Sequence, residues 1–200
     1  MTPHPVRFVV TDDLRRSRFT VFFRPVLALP HLVWLTIWTY STVVVIAFQW
    51  LWVIGSGHME EDVHRYIGRF VRYHVHVHAY FTLLANPWPI PSGREGYPID
   101  MELDPPERQN RPTVIFRVIL IIPAYIFMTV LNVVLYVIGA LGWFAALALG
   151  RMPRGMRDLG AYCLRFQTQT YAYLLLLTPR YPSLAGSAPP ELQEQLPLEI

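Results

Sequence analysis

The chain has 200 residues, 53% of them hydrophobic and 16% charged, with a formal net charge of +3 and a mean hydropathy of +0.30. A soluble domain carries about 25% charged residues, and the 17 basic residues here are all arginine. This balance argues against a soluble cytoplasmic enzyme and against intrinsic disorder, and no Lys/Arg block suggests a nucleic acid partner.

The first predicted element is a short strand at 5–10, where Pro5-Val-Arg-Phe-Val-Val alternates with period two. An arginine-flanked lead-in from Arg18 to Arg24 follows, and then Pro25–Gly57, 33 residues without Asp, Glu, Lys or Arg. Proline is best tolerated in a first helical turn. Pro30 therefore divides the run into an interfacial lead and a helix of about 24 residues, roughly 36 Å long at about 1.5 Å per residue. That length crosses a hydrocarbon core of about 30 Å. Gly55 and Gly57 supply a turn, a second helix is expected at about Val63–Ala85, and Pro87-Trp-Pro ends the segment.

The same series then begins again. A gapless shift of 93 residues aligns 5–93 with 98–186 at 22 identities in 89 positions. Arg15, Arg18, Phe23, Arg24 and Pro30 meet Arg108, Arg111, Phe116, Arg117 and Pro123. Trp50, Gly57, Met59, Arg72, Ala79 and Tyr80 meet Trp143, Gly150, Met152, Arg165, Ala172 and Tyr173. The second unit has its own strand at 98–103, a charge-free run Val118–Gly150, and a second helix at about Met156–Thr178. The expected fold is an all-α integral membrane protein built by tandem duplication. Each unit has a short strand, a long transmembrane helix and a second amphipathic or membrane helix, and the two strands can pair. Units span 1–93 and 94–186, and the Pro- and Glu-containing tail 187–200 is expected to be disordered.

Two further stretches carry a family likeness. Tyr97-Pro-Ile-Asp-Met-Glu-Leu-Asp-Pro-Pro-Glu-Arg-Gln-Asn-Arg with Phe116-Arg and Ile122-Pro opens the second unit. Gly150-Arg-Met-Pro-Arg-Gly, Leu164-Arg and Ala172-Tyr-Leu-Leu-Leu-Leu-Thr-Pro-Arg-Tyr-Pro close it. Together they resemble a bacterial membrane-protein family known as domain of unknown function 4389. Unit one follows the pattern more loosely, with Asp12-Asp13 in place of the Pro-Pro-Glu segment. The resemblance implies a helical, bacterial, membrane-embedded protein and brings no reaction with it.

Cytoplasmic loops carry excess arginine. If each unit crosses twice, Arg7, Arg15, Arg16, Arg18, Arg24, Arg94, Arg108, Arg111, Arg117 and Arg180 fall inside, and Arg65, Arg151, Arg154 and Arg157 outside. That partition favours a multi-pass inner-membrane protein with both termini cytoplasmic. Against it, the second helices carry Arg72, His74-Val-His-Val-His78, Arg165 and Gln167-Thr-Gln-Thr170 near their middles. A mid-bilayer arginine costs at least about 2.5–3.5 kcal/mol, which favours an interfacial or re-entrant second helix, so two spans are firm and four are possible.

Arg18, Arg24, Arg72, Arg111, Arg117 and Arg165 are the candidates for binding anionic lipid headgroups, since guanidinium groups hold phosphate bidentately. Arg72 and Arg165 have an alternative as structural ion pairs, with Asp158 or Glu61 as partners. His74 and His78 at i and i+4 are weak metal candidates. Their counterparts in unit two are Gln167 and Tyr171, and no cofactor is expected. The single Cys163 has no partner for a disulfide or zinc site. The leading expectation is a non-enzymatic accessory or scaffold protein that contacts lipid headgroups and partner membrane proteins. The alternative is a small transporter or channel with His76, Gln169, Arg72 and Arg165 lining a polar cavity between the units.

Overall fold

Alternation in Val6–Val10 and Ile99–Leu103 produces the two strands, β1 and β2, which pair antiparallel in the register Val6↔Leu103, Phe8↔Met101, Val10↔Ile99. The computed structural model describes residues 5–91 and 96–184; the expected disordered tail lies outside the described residues. The 93-residue shift maps Phe8 onto Met101, its own cross-strand partner. A pseudo-two-fold axis relating the units therefore passes between these two residues.

Between the strands come α1 (Arg18–Ser56) and α2 (Glu61–Phe81); after them come α3 (Arg111–Leu120), α4 (Ile122–Leu149) and α5 (Arg154–Leu174). The expected division before the proline occurs in unit two, where α3 gives way to α4 at Ile121 with Pro123 in the first turn of α4. Unit one differs: α1 runs unbroken through Pro25 and Pro30 for 39 residues, absorbing the missing N–H inside one helix. Both long helices end at a left-handed glycine, Gly57 (φ 79°) and Gly150 (φ 68°), a backbone conformation that costs glycine nothing.

α1 and α4, with mean hydropathies of 1.6 and 2.1, are each long and apolar enough to cross a membrane. They lie antiparallel. The N–H of Arg16, at the start of unit one, donates to Gly150 O at the end of α4 (3.0 Å), and the N–H of Gln109 donates to Gly57 O at the end of α1 (2.9 Å). The exchange is symmetric, since 16 and 109, like 57 and 150, are 93 apart. It also overturns the expected topology. Two passages per unit would put both unit starts on one side, whereas here Arg15, Arg16, Arg18 and Arg24 share an end with Arg151 and Arg157, opposite Arg108, Arg111 and Arg117. A gapless repeat establishes which residues are equivalent but not the direction of the axis that relates them.

The elements form three layers. On one face of α2, Tyr66, Phe70 and Tyr73 meet Trp38 of α1, and Tyr73 hydroxyl hydrogen-bonds His31 Nδ1 at 2.8 Å. On its other face, about 200° round the helix from Phe70, Arg72 donates to Met101 O of β2 (2.9 Å). α5 packs against α2, α4 and β1. The core thus sits on α2 and α5, with the long helices on one side and the β ribbon on the other. Apart from Val9, Trp88, Ile90, Leu159, Tyr181 and Leu184, every exposed large apolar side chain among the described residues lies on α1, α3 or α4.

Candidate functional site

Each second helix ends at a leucine held at positive φ, Leu83 (64°) and Leu176 (63°), a region that side chains other than those of Gly, Asn and Asp seldom adopt. A buried guanidinium from the start of the same unit's apolar run holds each end in place. Arg24 Nη1 donates to Tyr80 O (3.1 Å) and Ala85 O (2.9 Å), and its Nη2 donates to Asn86 Oδ1 (2.8 Å). Its equivalent Arg117 donates through Nη1 to Tyr173 O (2.8 Å) and through Nη2 to Gln109 Oε1 (2.6 Å). Each guanidinium carbon lies 4.3 Å from the centroid of the tyrosine whose carbonyl it binds. Exposure is 1% at Arg24 and 0% at Arg117. Burial pulls the Arg117 guanidinium down to about 10, so it stays charged at neutral pH.

Arg24 and Arg117 are therefore not placed as headgroup ligands: both are buried, and their Nη donors go to Tyr80 O, Ala85 O and Asn86, and to Tyr173 O and Gln109. Cations near a helix C-terminus also complement its dipole. A neighbouring residue completes each clamp. Arg16 donates to Leu83 O and Leu84 O and pairs with Asp12 at 2.6 Å, while its counterpart Gln109 donates to Leu176 O.

The remaining candidates separate. Arg18 and Arg111 are exposed at opposite ends of the helix layer, Arg18 donating to Ala148 O of α4 (3.1 Å). Arg72 pairs with Asp100 (3.3 Å), which also accepts from His76 Nε2 (3.0 Å) and from the Met101 N–H (2.8 Å). Neither expected ion-pair partner is used. Asp158 binds its neighbour Arg157, and Glu61 binds Arg65 one turn further along α2. Arg165 is buried against the Tyr162 ring. Asp100, like the ribbon's approach to α2, was missed from sequence; the stripe Arg65, Arg69, Arg72, His76 on one helix face was its only signal.

The polar cavity expected between the units is not formed by these side chains. His76 is buried, stacks on Tyr97 at 4.2 Å, and borders a cleft of about 230 Å³ with Trp88 and Pro98, which takes in none of Gln169, Arg72 or Arg165. Gln169 is buried and accepts the Ser183 N–H (3.0 Å). His74 and His78 stack ring on ring at 4.0 Å, with His78 Nδ1 donating to His74 O (2.9 Å) and Tyr171 edge-on to His74. Among the described residues no group of three or more His, Cys, Asp or Glu side chains comes together in a metal-binding set.

Two equivalent units, joined by a strand pair and each locked by a buried arginine beneath a shared apolar helix layer, define a duplicated, mostly helical protein whose large exposed surface is hydrocarbon. The chain belongs to the family described as Domain of unknown function (DUF4389), which matches it twice, at residues 18–93 and 111–185. No curated protein matches it, and no solved structure does.

Proposed function

We propose that this is a non-enzymatic accessory or scaffold protein of a bacterial inner membrane. It is held by the apolar layer of α1, α3 and α4, contacts anionic headgroups through the exposed arginines at the rim of that layer, and offers its polar side to partner proteins. The observation that carries this reading is exposure. Only 17% and 22% of the most apolar windows of α1 and α4 are buried, whereas the core helix of a soluble protein is mostly covered. A monomer seldom exposes a contiguous apolar patch beyond a few hundred Å² without a membrane or a partner against it. Interior charged and polar groups support the scaffold reading, because Arg16, Arg24, Arg72, His76, Asp100 and Arg117 are engaged in holding elements together.

The test is purification from native membranes in mild detergent, followed by binding to vesicles with and without phosphatidylglycerol. Co-purifying membrane proteins and a preference for the anionic vesicles are expected. A lone monomer that binds neither protein nor anionic lipid would overturn the proposal.

A further inference from the structure

Resting on the membrane reading above, we infer that α1, α3 and α4 lie flat in a single leaflet, parallel to the membrane plane, with the β1–β2 ribbon facing water. The sequence suggests helices that cross; the placement of the polar face argues otherwise.

The ribbon meets α2 where Met101 O accepts from Arg72, at mid-length of α2, and the opposite face of α2 at that level meets Trp38, the middle of α1. It exposes the ion pairs Arg7–Glu102 (3.0 Å) and Arg7–Asp104 (3.4 Å), with the side chains of Arg7 and Glu102 about half exposed. Were α1 to cross a bilayer, these half-exposed charges would lie at its centre, where each costs at least about 2.5–3.5 kcal/mol. The lead segments sharpen the conflict. Residues 11–16 run from the ribbon to one end of the bundle, and 104–109 run to the other. Crossing helices would drag both segments through hydrocarbon as extended chain.

Dimensions agree with the flat placement. At about 1.5 Å per residue, the 39 residues of α1 extend roughly 58 Å, nearly twice the hydrocarbon core of about 30 Å. A layer one helix thick, about 10 Å, fits within the half-thickness of about 15 Å that one leaflet provides.

Charge selects lipid as the occupant. Arg15, Arg18, Arg151 and Arg154 are exposed at one end of the layer, where the exposed acids Asp13 and Asp158 already pair with Arg16 and Arg157. That end is a basic rim, and lipid phosphates supply its counter-charge. At the other end the exposed Arg65, Arg108 and Arg111 stand among Glu60, Glu61, Asp62 and Glu107.

Single-cysteine labelling tests the orientation, with the wild type, whose Cys163 is buried, as the blank. Ser17→Cys and His58→Cys flank α1, and Glu102→Cys marks the ribbon. Right-side-out and inside-out membrane vesicles are treated with a membrane-impermeant maleimide. The expected result is labelling of all three from the same face, together with quenching of tryptophan emission by brominated-chain phosphatidylglycerol, which reaches the exposed Trp34 and Trp52. Labelling of Ser17→Cys and His58→Cys from opposite faces overturns the flat orientation and leaves the membrane reading standing. Same-face labelling without quenching replaces lipid by a protein partner or a second copy. A protein released by alkaline carbonate defeats the membrane reading itself.

Discussion

Replacing Arg24 with alanine removes the donors to Tyr80 O and Ala85 O, the bond to Asn86 and the guanidinium on the Tyr80 ring in one step. Tyr80 O keeps the Leu83 N–H (3.2 Å), so Ala85 O is the carbonyl left without a donor, at about 1–3 kcal/mol, and the lost cation–π contact costs about 0.5–2 kcal/mol. Part of this is returned because a guanidinium no longer has to be desolvated. The net loss is about 2 kcal/mol, or a fall in midpoint near 6 °C at the roughly 2–4 °C per kcal/mol expected for a chain of this size. Arg24→Lys keeps the charge but not the planar fork and should fall between. Arg18→Ala, at an exposed site, should stay within about 0.5 kcal/mol. Thermal unfolding in detergent followed by circular dichroism gives the ranking, and binding to phosphatidylglycerol vesicles is measured alongside. Were Arg24→Ala to unfold within about 1 kcal/mol of wild type while losing anionic-lipid binding, the clamp would be refuted and Arg24 would return to the headgroups.

Two glycines on α5 should respond oppositely to alanine: at Gly160 an added Cβ would lie 2.6 Å from Leu84 Cδ2 and 3.3 Å from its Cγ, whereas at Gly155 it meets nothing within 4 Å. Calorimetric or denaturant midpoints should therefore drop for Gly160→Ala, by about 1 kcal/mol after the gain in helix propensity, and rise by about 0.5 kcal/mol for Gly155→Ala. Asp100→Asn leaves Arg72 without its charge partner and should loosen the ribbon by about 2 kcal/mol, read as faster hydrogen exchange at Val6–Val10; unchanged protection there would sink the assignment. Burial pushes His64 down from the usual histidine value, and burial together with His78 pushes His74 down further. The folded state therefore holds both neutral while the unfolded chain takes up protons near pH 6.5. Stability should fall as pH drops below about 6.5, and His64→Gln, which keeps a donor for Leu177 O, should flatten part of that slope; a wild-type profile level from pH 7 to 5.5 would contradict it.

The duplication, the paired strands, the glycine ends of the long helices and the position of the second helices were legible in the sequence, because each rests on local pattern or on self-similarity. Arg24 and Arg117 were misread for a physical reason: an arginine beside a long apolar run ordinarily stays with water and phosphate, and nothing local reveals carbonyl acceptors 56 residues further along the chain. Asp100 looked like an ordinary strand residue until the ribbon brought it to Arg72 and His76, 28 and 24 positions away. The equivalent positions in the other unit, Arg7, Arg165 and Gln169, cannot form the same set, so the repeat itself gave no hint of it.

Because β1 pairs with β2 across 93 residues, the first strand to be synthesised is among the last elements to find its partner. At about 5–20 residues per second, β1 waits roughly 5–20 s on the ribosome with both edges unpaired while α1, the most exposed apolar helix of unit one, is already complete. Such long-range pairing is slow to form. The nascent first unit must therefore have its hydrocarbon face shielded, by bilayer or chaperone, before its polar face can close. Order of synthesis thus imposes a requirement that the finished fold no longer shows: contact with the membrane comes before the ribbon exists.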